Sequence, residues 1–462
     1  MKKSIFAVAA ATAFAGAAQA QSSVTVYGIL DVGYISQTVK AAGIPGGTGA
    51  NTATAYGATT TTGGGFASSA QSTSRLGFRG VEDLGGGMTA FFTTEFTITP
   101  TAVNNVSGGT TGFNNRQTFL GLGDKKLGQI SIGTQYTPIH EAVGATDAGQ
   151  QNNMPGNLIY PIDASTNSAN AGLPASNRLL SATSTANNSI STVVGGYGLG
   201  SNNYTNRAGN MLKYVSPVMA GFQAKAFYST AGSTTDVVAD NNGTAAASTV
   251  KSGGVSQFTG WGLGLNYTVN KLLVTANVQQ FKQQTTAGST ANATGVNGSG
   301  WQPSSTSFGP GATDQALNVV DNQYYFGGTY DFGILKVYAQ YINRKANALY
   351  TDAIYSKRTA QQIGIRGNIT PKIEMWASGA TGKLTTSYQI TNATLATQSG
   401  AANLTAYQIG GNYWLSKRTN LYAIYGLTSV GNAAYPTTVA GTATNTVSNN
   451  VSAYALGVRH TF

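Results

Sequence analysis

Val451-Ser452-Ala453-Tyr454-Ala455-Leu456-Gly457-Val458-Arg459-His460-Thr461-Phe462 closes the chain. Counted back in twos from Phe462, the residues His460, Val458, Leu456 and Tyr454 form an apolar and aromatic row, while Thr461, Arg459, Gly457, Ala455 and Ala453 are small or polar. A period of two marks a strand with one greasy face and one wet face. Such a strand ending on an aromatic residue points to a transmembrane β-barrel that closes on its last strand, with the terminal ring in an interfacial aromatic girdle.

The other end reads as an export signal. Met1-Lys2-Lys3 is a charged head, Ile5 to Ala15 an apolar middle and Ala18-Gln19-Ala20 a small-residue cleavage site. Residues 1–20 are therefore expected to be a signal peptide and the mature chain to start at Gln21. Beyond Ala20 no stretch approaches the ~18 uninterrupted apolar residues that a spanning helix needs. Membrane residence must then come from strands, and residues 21–462 are expected to form one barrel.

Composition agrees. Cysteine is absent, so neither disulfides nor thiolate metal sites hold the chain together. With 24 Tyr and 9% charged residues, the chain is too aromatic for disorder and far below the ~25–35% charge of a soluble surface. Something other than water covers much of the outside. The formal charge of +11 becomes +9 without Lys2 and Lys3, with 24 basic against 15 acidic residues. Lys and Arg are dispersed with no clustered stripe, so nucleic acid is not the expected partner; the excess fits the lining of a conduit or contact with anionic lipid.

Connections fall into two length classes. Short ones occur near Asp83 to Gly87, Asp124 to Gly128, Pro217 to Gly221, Asn270, Asp331 to Gly333, Thr370 to Pro371 and Ser416 to Arg418, rich in the Gly, Pro, Asn and Asp of tight turns. Long polar ones span Ser36 to Ser72, Thr99 to Phe113, Thr137 to Thr205, Thr230 to Gly254, Gln283 to Asn318, Lys345 to Tyr355, Thr385 to Ala402 and Gly431 to Ser448. Seven short and eight long connections imply sixteen strands. The expectation is an all-β, 16-stranded antiparallel barrel with short periplasmic turns, long extracellular loops and an aqueous lumen.

Faces can be assigned strand by strand. Val24, Val26, Leu30, Val32 and Tyr34 oppose Thr25, Tyr27 and Asp31; Leu272, Val274, Ala276 and Val278 oppose Thr275, Asn277 and Gln279; Tyr407, Ile409, Tyr413 and Leu415 oppose Gln408, Gly410 and Asn412. The first set in each case is assigned to lipid. Leu120, Ile424 and Trp414 break the pattern by pointing inward, which signals a possible one-residue slip of register.

Catalysis has little to work with. His140 and His460 are the two histidines, and His140 beside Glu141 is the one combination a serine triad could use. Gly85-Gly86-Gly87 lies in a hairpin turn and opens no phosphate-binding helix. The reading is accordingly not an enzyme, with no cofactor and no metal. Charges on the inward face carry more information, because an Arg or Lys on the lipid face near the midplane costs ~2–4 kcal/mol. Arg75, Arg79, Arg116, Arg207, Lys213 and Lys225 are assigned to the lumen, as are Asp31 and Glu95. Guanidinium groups facing carboxylates in a narrow throat set a transverse field, and excess cations favour anions. The third long loop carries Glu141, Asp147 and Asp163, which would face the arginines if that loop folded into the lumen.

Six ordered stretches bear a family resemblance: Val26-Tyr27-Gly28-Ile29-Leu30-Asp31; Ser74 through Arg75, Arg79 and Glu82 to Gly87; Asn115-Arg116-Gln117-Thr118-Phe119-Leu120-Gly121-Leu122; Asn206-Arg207 through Asn210 to Tyr214-Val215-Ser216-Pro217; Leu415-Ser416-Lys417-Arg418-Thr419; and Gly457 to Phe462. With these the chain resembles the trimeric general porins of the Gram-negative outer membrane, in their β-proteobacterial branch. The resemblance implies a homotrimer amid outer-membrane lipid and lipopolysaccharide, passive diffusion of small hydrophilic solutes and anions, and a constriction formed by loop three against a basic wall. Carried over by position, that wall is Arg75, Arg116 and Arg207, with Glu95 a wall carboxylate. The Pro-Glu-Phe-Gly-Gly segment of enteric relatives is missing from the enlarged loop three, so Glu141 and Asp147 are the candidates for its acidic side. A substrate-specific anion channel with a binding site in that loop is the alternative.

Overall fold

The computed structural model describes residues 23–42, 59–101, 114–160, 204–235, 254–285, 319–348, 355–390, 396–436 and 444–462. All seven expected tight turns are present, and several are closed by the side chain that opens them. Asp83 Oδ1 accepts from Gly85 N at 2.8 Å, Asp124 Oδ1 from Lys126 N at 2.7 Å, and Asp331 Oδ1 from Gly333 N at 2.7 Å. Thr370 Oγ1 and Ser416 Oγ do the same with Ile373 N and Thr419 N. Each is a short polar side chain mimicking a backbone turn. Gly85, Gly86 and Gly87 all have positive φ, which explains a run of three glycines there.

Between the turns run β1 (Ser23–Ala42), β2 (Thr59–Ser68), β3 (Arg75–Gly85), β4 (Met88–Thr97), β5 (Asn114–Asp124), β6 (Gly128–Tyr136), β7 (Arg207–Val215), β8 (Phe222–Thr235) and β9 (Gly254–Val269). β10 (Leu272–Thr285), β11 (Val319–Asp331), β12 (Lys336–Ala348), β13 (Tyr355–Thr370), β14 (Ile373–Ile390), β15 (Ala396–Trp414), β16 (Thr419–Pro436) and β17 (Thr444–Thr461) complete the sheet. Neighbours pair antiparallel throughout, and β17 returns to β1 with Asp31 opposite Arg459. Phe462 and Gly28 exchange backbone hydrogen bonds at 3.1 and 3.2 Å, so the last residue seals the ring. Closure joins the first and last strands into a ring, the condition for strands to cross a membrane.

One strand position is split. β3 pairs with the first part of β1, Ser23 to Ile29, and β2 pairs with its outer part, Val32 to Ala41, along the same edge. Together they occupy one of sixteen positions. The expected loop from Ser36 to Ser72 is corrected accordingly: β1 continues to Ala42 and the chain returns as strand from Thr59. Thr59-Thr60-Thr61-Thr62-Gly63-Gly64-Gly65 shows no apolar alternation, so its strand character was hidden in the sequence.

Alternation sorts the faces as expected. Val24, Val26, Val274, Tyr407 and Ile409 are exposed, whereas Thr275, Asn277, Gln279, Gln408 and Asn412 are buried inside. Outward aromatics form two belts: Phe222 and Tyr228 on β8, Tyr267 and Trp261 on β9, Tyr330 and Tyr324 on β11, and Tyr413 and Tyr407 on β15. Each pair is six residues, about 20 Å, apart along its strand. Leu263, Leu265 and Ile409 lie between them, giving an apolar band flanked by aromatic rings.

The suspected register slip has a structural cause. Glu95 pairs with Gln117 and Phe96 with Asn115, so Arg116 is the extra residue of a β-bulge. Such a bulge lets both Arg116 and Leu120 take the face their chemistry needs, although they share parity in sequence. Arg116 is buried inside and Leu120 is exposed outside, which corrects its inward assignment. Ile424 is inward and buried as read from the sequence.

Candidate functional site

After β6 the chain turns into the barrel. Thr137 caps a short helix, α1 (Pro138–Thr146), accepting from His140 N at 3.3 Å, and Pro138 occupies its first turn, where a missing N–H costs nothing. Ile139, Ala142 and Val143 of α1, with Leu158 and Ile159 beyond it, pack on Tyr325, Ile342, Ala360 and Leu404 of the inner wall. Ala148 and Met154 join a second cluster with Trp376, Tyr422 and Ile424. Those apolar residues facing inward are therefore the seat of this loop.

Polar contacts fix its path. Asp147, buried, accepts from Gln151 N at 2.7 Å, Gln362 Nε2 at 3.0 Å and Asn157 Nδ2 at 3.1 Å. Asn152 and Gln408 exchange hydrogen bonds at 2.5 and 3.0 Å, and Arg366 Nη1 donates to Ala148 O at 2.8 Å. Burial pushes the Asp147 carboxyl up, opposed by these donors and by Arg366.

The expected arginine trio is brought together by Glu95 and Tyr136. Glu95 Oε1 accepts from Arg116 Nε at 2.6 Å and lies 3.6 Å from Arg75 Nη1. Arg116 Nη2 donates to Tyr136 Oη at 2.8 Å, and the Arg207 guanidinium sits 5.5 Å over the Tyr136 ring. Arg79 stacks similarly on Tyr27, whose hydroxyl donates to Glu95 at 3.2 Å. Arg207 reaches this cluster beside a second irregularity, where Asn210 takes a positive φ and the β6–β7 register shifts between Gly133 and Gln135.

The acids fall elsewhere. Glu141 Oε2 accepts from Lys225 Nζ at 2.7 Å and its Oε1 from Lys213 Nζ, so it meets the lysine pair and not the arginines. Asp147 meets amides. Asp163 lies outside the described residues. What the trio's side of the loop presents instead is His140, whose ring lies 4.4 Å from that of Tyr136, with Nδ1 at 3.2 Å from the Tyr204 hydroxyl. Burial, then Arg207, Arg116 and Arg75, push the imidazole well below its usual range and keep it neutral. Asp31 is directed inward but sealed: segment 69–74 folds over it, and it accepts from Ser72 N at 2.6 Å, Gln71 N at 2.8 Å and Tyr422 Oη at 2.6 Å.

A second set of inward cations escaped the sequence reading. Arg344 pairs with Asp321 at 2.8 Å, directly across from Arg358 in the β12–β13 register. Arg366 grips Glu374 through two bonds of 2.6 and 2.7 Å while lying 4.9 Å over Trp376. The signal was available, since Arg358 and Arg366 alternate with the exposed Ile363 and Ile365.

A family model described as Gram-negative porin matches residues 7–433. The chain belongs to that family. An outer membrane porin protein of Bordetella pertussis is 26% identical over 451 residues, covering 92% of this chain and 93% of the relative. Outer membrane porin protein 32 of Delftia acidovorans is 36% identical over 148 residues, 32% of this chain and 35% of that one. Among solved structures, the anion-selective porin from Comamonas acidovorans shares the fold with a TM-score of 0.56 at 19% identity, covering 96% of this chain and all of that one. The protein is thus an outer-membrane porin, and the described part of its third loop, residues 137–160 with α1, is seated against the inner wall.

Proposed function

We propose that this porin conducts small hydrophilic solutes by passive diffusion with a preference for anions, through a throat between loop three and the basic wall of Arg75, Arg116 and Arg207. The observation that carries the reading is an uneven charge balance. Among the described residues, three arginines stand against one carboxylate, Glu95, and Lys213 with Lys225 against one, Glu141, so the two groups together carry an excess of three positive charges there. His140 adds none while neutral. In a low-dielectric constriction such an excess lowers the barrier for anions, and weak binding suffices because a solute must leave as readily as it enters.

The reading further includes removal of residues 1–20 on export, assembly of three copies, and a bilayer of phospholipid and lipopolysaccharide around the aromatic belts. No turnover or cofactor is involved. Liposome-swelling rates test it: for anionic, neutral and cationic solutes of equal size, the anion is expected to enter fastest. Equal rates for all three would overturn the preference, and absence of swelling would overturn the channel.

A further inference from the structure

We infer that the throat selects aromatic carboxylates, of the benzoate class, over aliphatic ones of equal charge and size, at a subsite where Arg207 and Tyr160 flank the rings of Tyr136 and His140. The inference rests on the throat reading above and deepens it by naming a substrate class.

Four rings run from the wall into loop three. Tyr136, the last residue of β6, lies 4.4 Å from His140 on α1, and His140 lies 5.9 Å from both Tyr160 and Tyr204, which are 6.1 Å from each other. His140, Tyr160 and Tyr204 thus make a nearly equilateral triangle of rings at the spacing of favourable aromatic pairs. Tyr204 is buried, whereas Tyr136, His140 and Tyr160 are half-buried and keep open surface. The platform is held in place: Gln151 Nε2 donates to the Tyr204 hydroxyl at 2.8 Å and to the His140 carbonyl at 3.0 Å, and Asn157 Oδ1 accepts from Tyr160 N at 2.8 Å. Rings fixed in advance lose little freedom when a ligand arrives.

An idle donor stands at the head of this row. Arg207 sits 5.5 Å over the Tyr136 ring, and its buried Nε has no acceptor among the described residues. A buried donor left unpaired is costly, so the nitrogen is poised for an acceptor that comes and goes. The other two arginines are engaged: Arg116 with Glu95 and Tyr136, and Arg75 Nε with the Thr73 carbonyl at 2.9 Å. Burial raises the Tyr160 phenol, and Arg207, Arg116 and Arg75 oppose it, which places the far ring of the row within electrostatic reach of the same guanidinium groups.

Chemistry selects the occupant. A planar carboxylate takes a guanidinium edge through its oxygens, and an aromatic ring attached to it reaches the surfaces of His140 and Tyr160. A saturated ring of the same size offers no π face to that row. His140, kept neutral, is itself a π surface and not a competing cation. Of the nearby described acids, Glu95 is held by Arg116 and Glu141 by Lys213 and Lys225, so Arg207 is left to the solute. A small inorganic anion meets the donors without the rings, and a preference for aromatic acids is therefore distinct from a preference for anions.

Block of the chloride current through the full-length porin in planar bilayers at neutral pH tests the inference, with benzoate and cyclohexanecarboxylate as probes of equal charge and closely matched size. Benzoate is expected to reach half-block at an about fivefold lower concentration. Tyr160→Leu is expected to bring the two half-block concentrations together, Tyr160→Phe to keep the advantage of benzoate, and Arg207→Gln to weaken both acids alike. Equal half-block in the parent, or no block by either acid, overturns the subsite, and so does an advantage that survives Tyr160→Leu at its parental size. The comparison in the parent needs no variant and so holds even where a substitution unseats the loop. The two readings fail separately: a chloride-selective zero-current potential with equal block sinks the aromatic subsite alone, whereas a potassium-selective parent sinks the throat reading beneath it.

Discussion

Glu95 Oε1 accepts a hydrogen bond from Arg116 Nε at 2.6 Å, and the same oxygen lies 3.6 Å from Arg75. One wall carboxylate therefore restrains two guanidinium groups, and it can do so because the bulge at Arg116 aims that side chain inward. Glu95→Gln removes the restraint and the charge while keeping the shape. Anion preference should rise, read as a reversal potential moved toward the chloride limit; a move toward the potassium limit would count against the assignment of this wall.

Glu141 is the hinge of pH behaviour. Burial favours its neutral form, but Lys213 and Lys225 outweigh burial and hold the carboxyl below its usual range. A depressed folded-state value gives stability that is complete above the unfolded value, near ~4.3, and is lost as pH falls through the lower folded one. Current noise from loop three should therefore stay quiet down to about pH 4 and increase only below it. Glu141→Gln should show the noise already at neutral pH.

His140 should be silent in the same experiment. Its folded-state value lies well below the usual one, so the ring stays neutral while an unfolded chain would take up a proton below ~6.5. His140→Gln should leave the pH dependence of ion preference around pH 6.5 as it is in the parent. A titration centred near pH 6.5 that disappears in His140→Gln would show the imidazole to be charged and exposed.

Asp147 gathers donors from its own loop and from the wall residue Gln362. Asp147→Ala leaves these donors buried without an acceptor, at about 1–3 kcal/mol for each one stranded. Larger and noisier conductance with a lower unfolding temperature is expected. A variant with quiet, parental currents would mean that the loop is held by its apolar seat alone.

Gly28 and Phe462 seal the ring, and the Phe462 ring lies over the glycine, so a Cβ at position 28 would collide with it and with the Arg75 carbonyl. Gly28→Val should lower the temperature at which the barrel loses its folded mobility on gels. Phe462→Ala should do so too, by uncovering the backbone there.

Tight turns were legible because Asp83, Asp124, Thr370 and Ser416 announce themselves by local chemistry, and lipid-facing strand segments because water and hydrocarbon impose alternation. β2 was not legible, since a strand end above the hydrocarbon needs no apolar face, and threonine and glycine then read as loop. Strand parity and resemblance assigned Arg75, Arg116 and Arg207 to one wall, and their grouping around Glu95 and Tyr136 is what the structure adds. The partners of Glu141 and Asp147 could not, because they depend on where α1 comes to rest, and that is decided by Ile139 and Val143 meeting Tyr325 and Ile342 across more than a hundred residues of sequence.

The most direct test is the zero-current potential of the purified porin in a planar bilayer under a tenfold potassium chloride gradient. The sign that reports faster chloride than potassium movement, diminished when Arg75, Arg116 and Arg207 are all replaced by glutamine, is the predicted result. A potassium-selective sign, or one untouched by the triple replacement, would contradict the account.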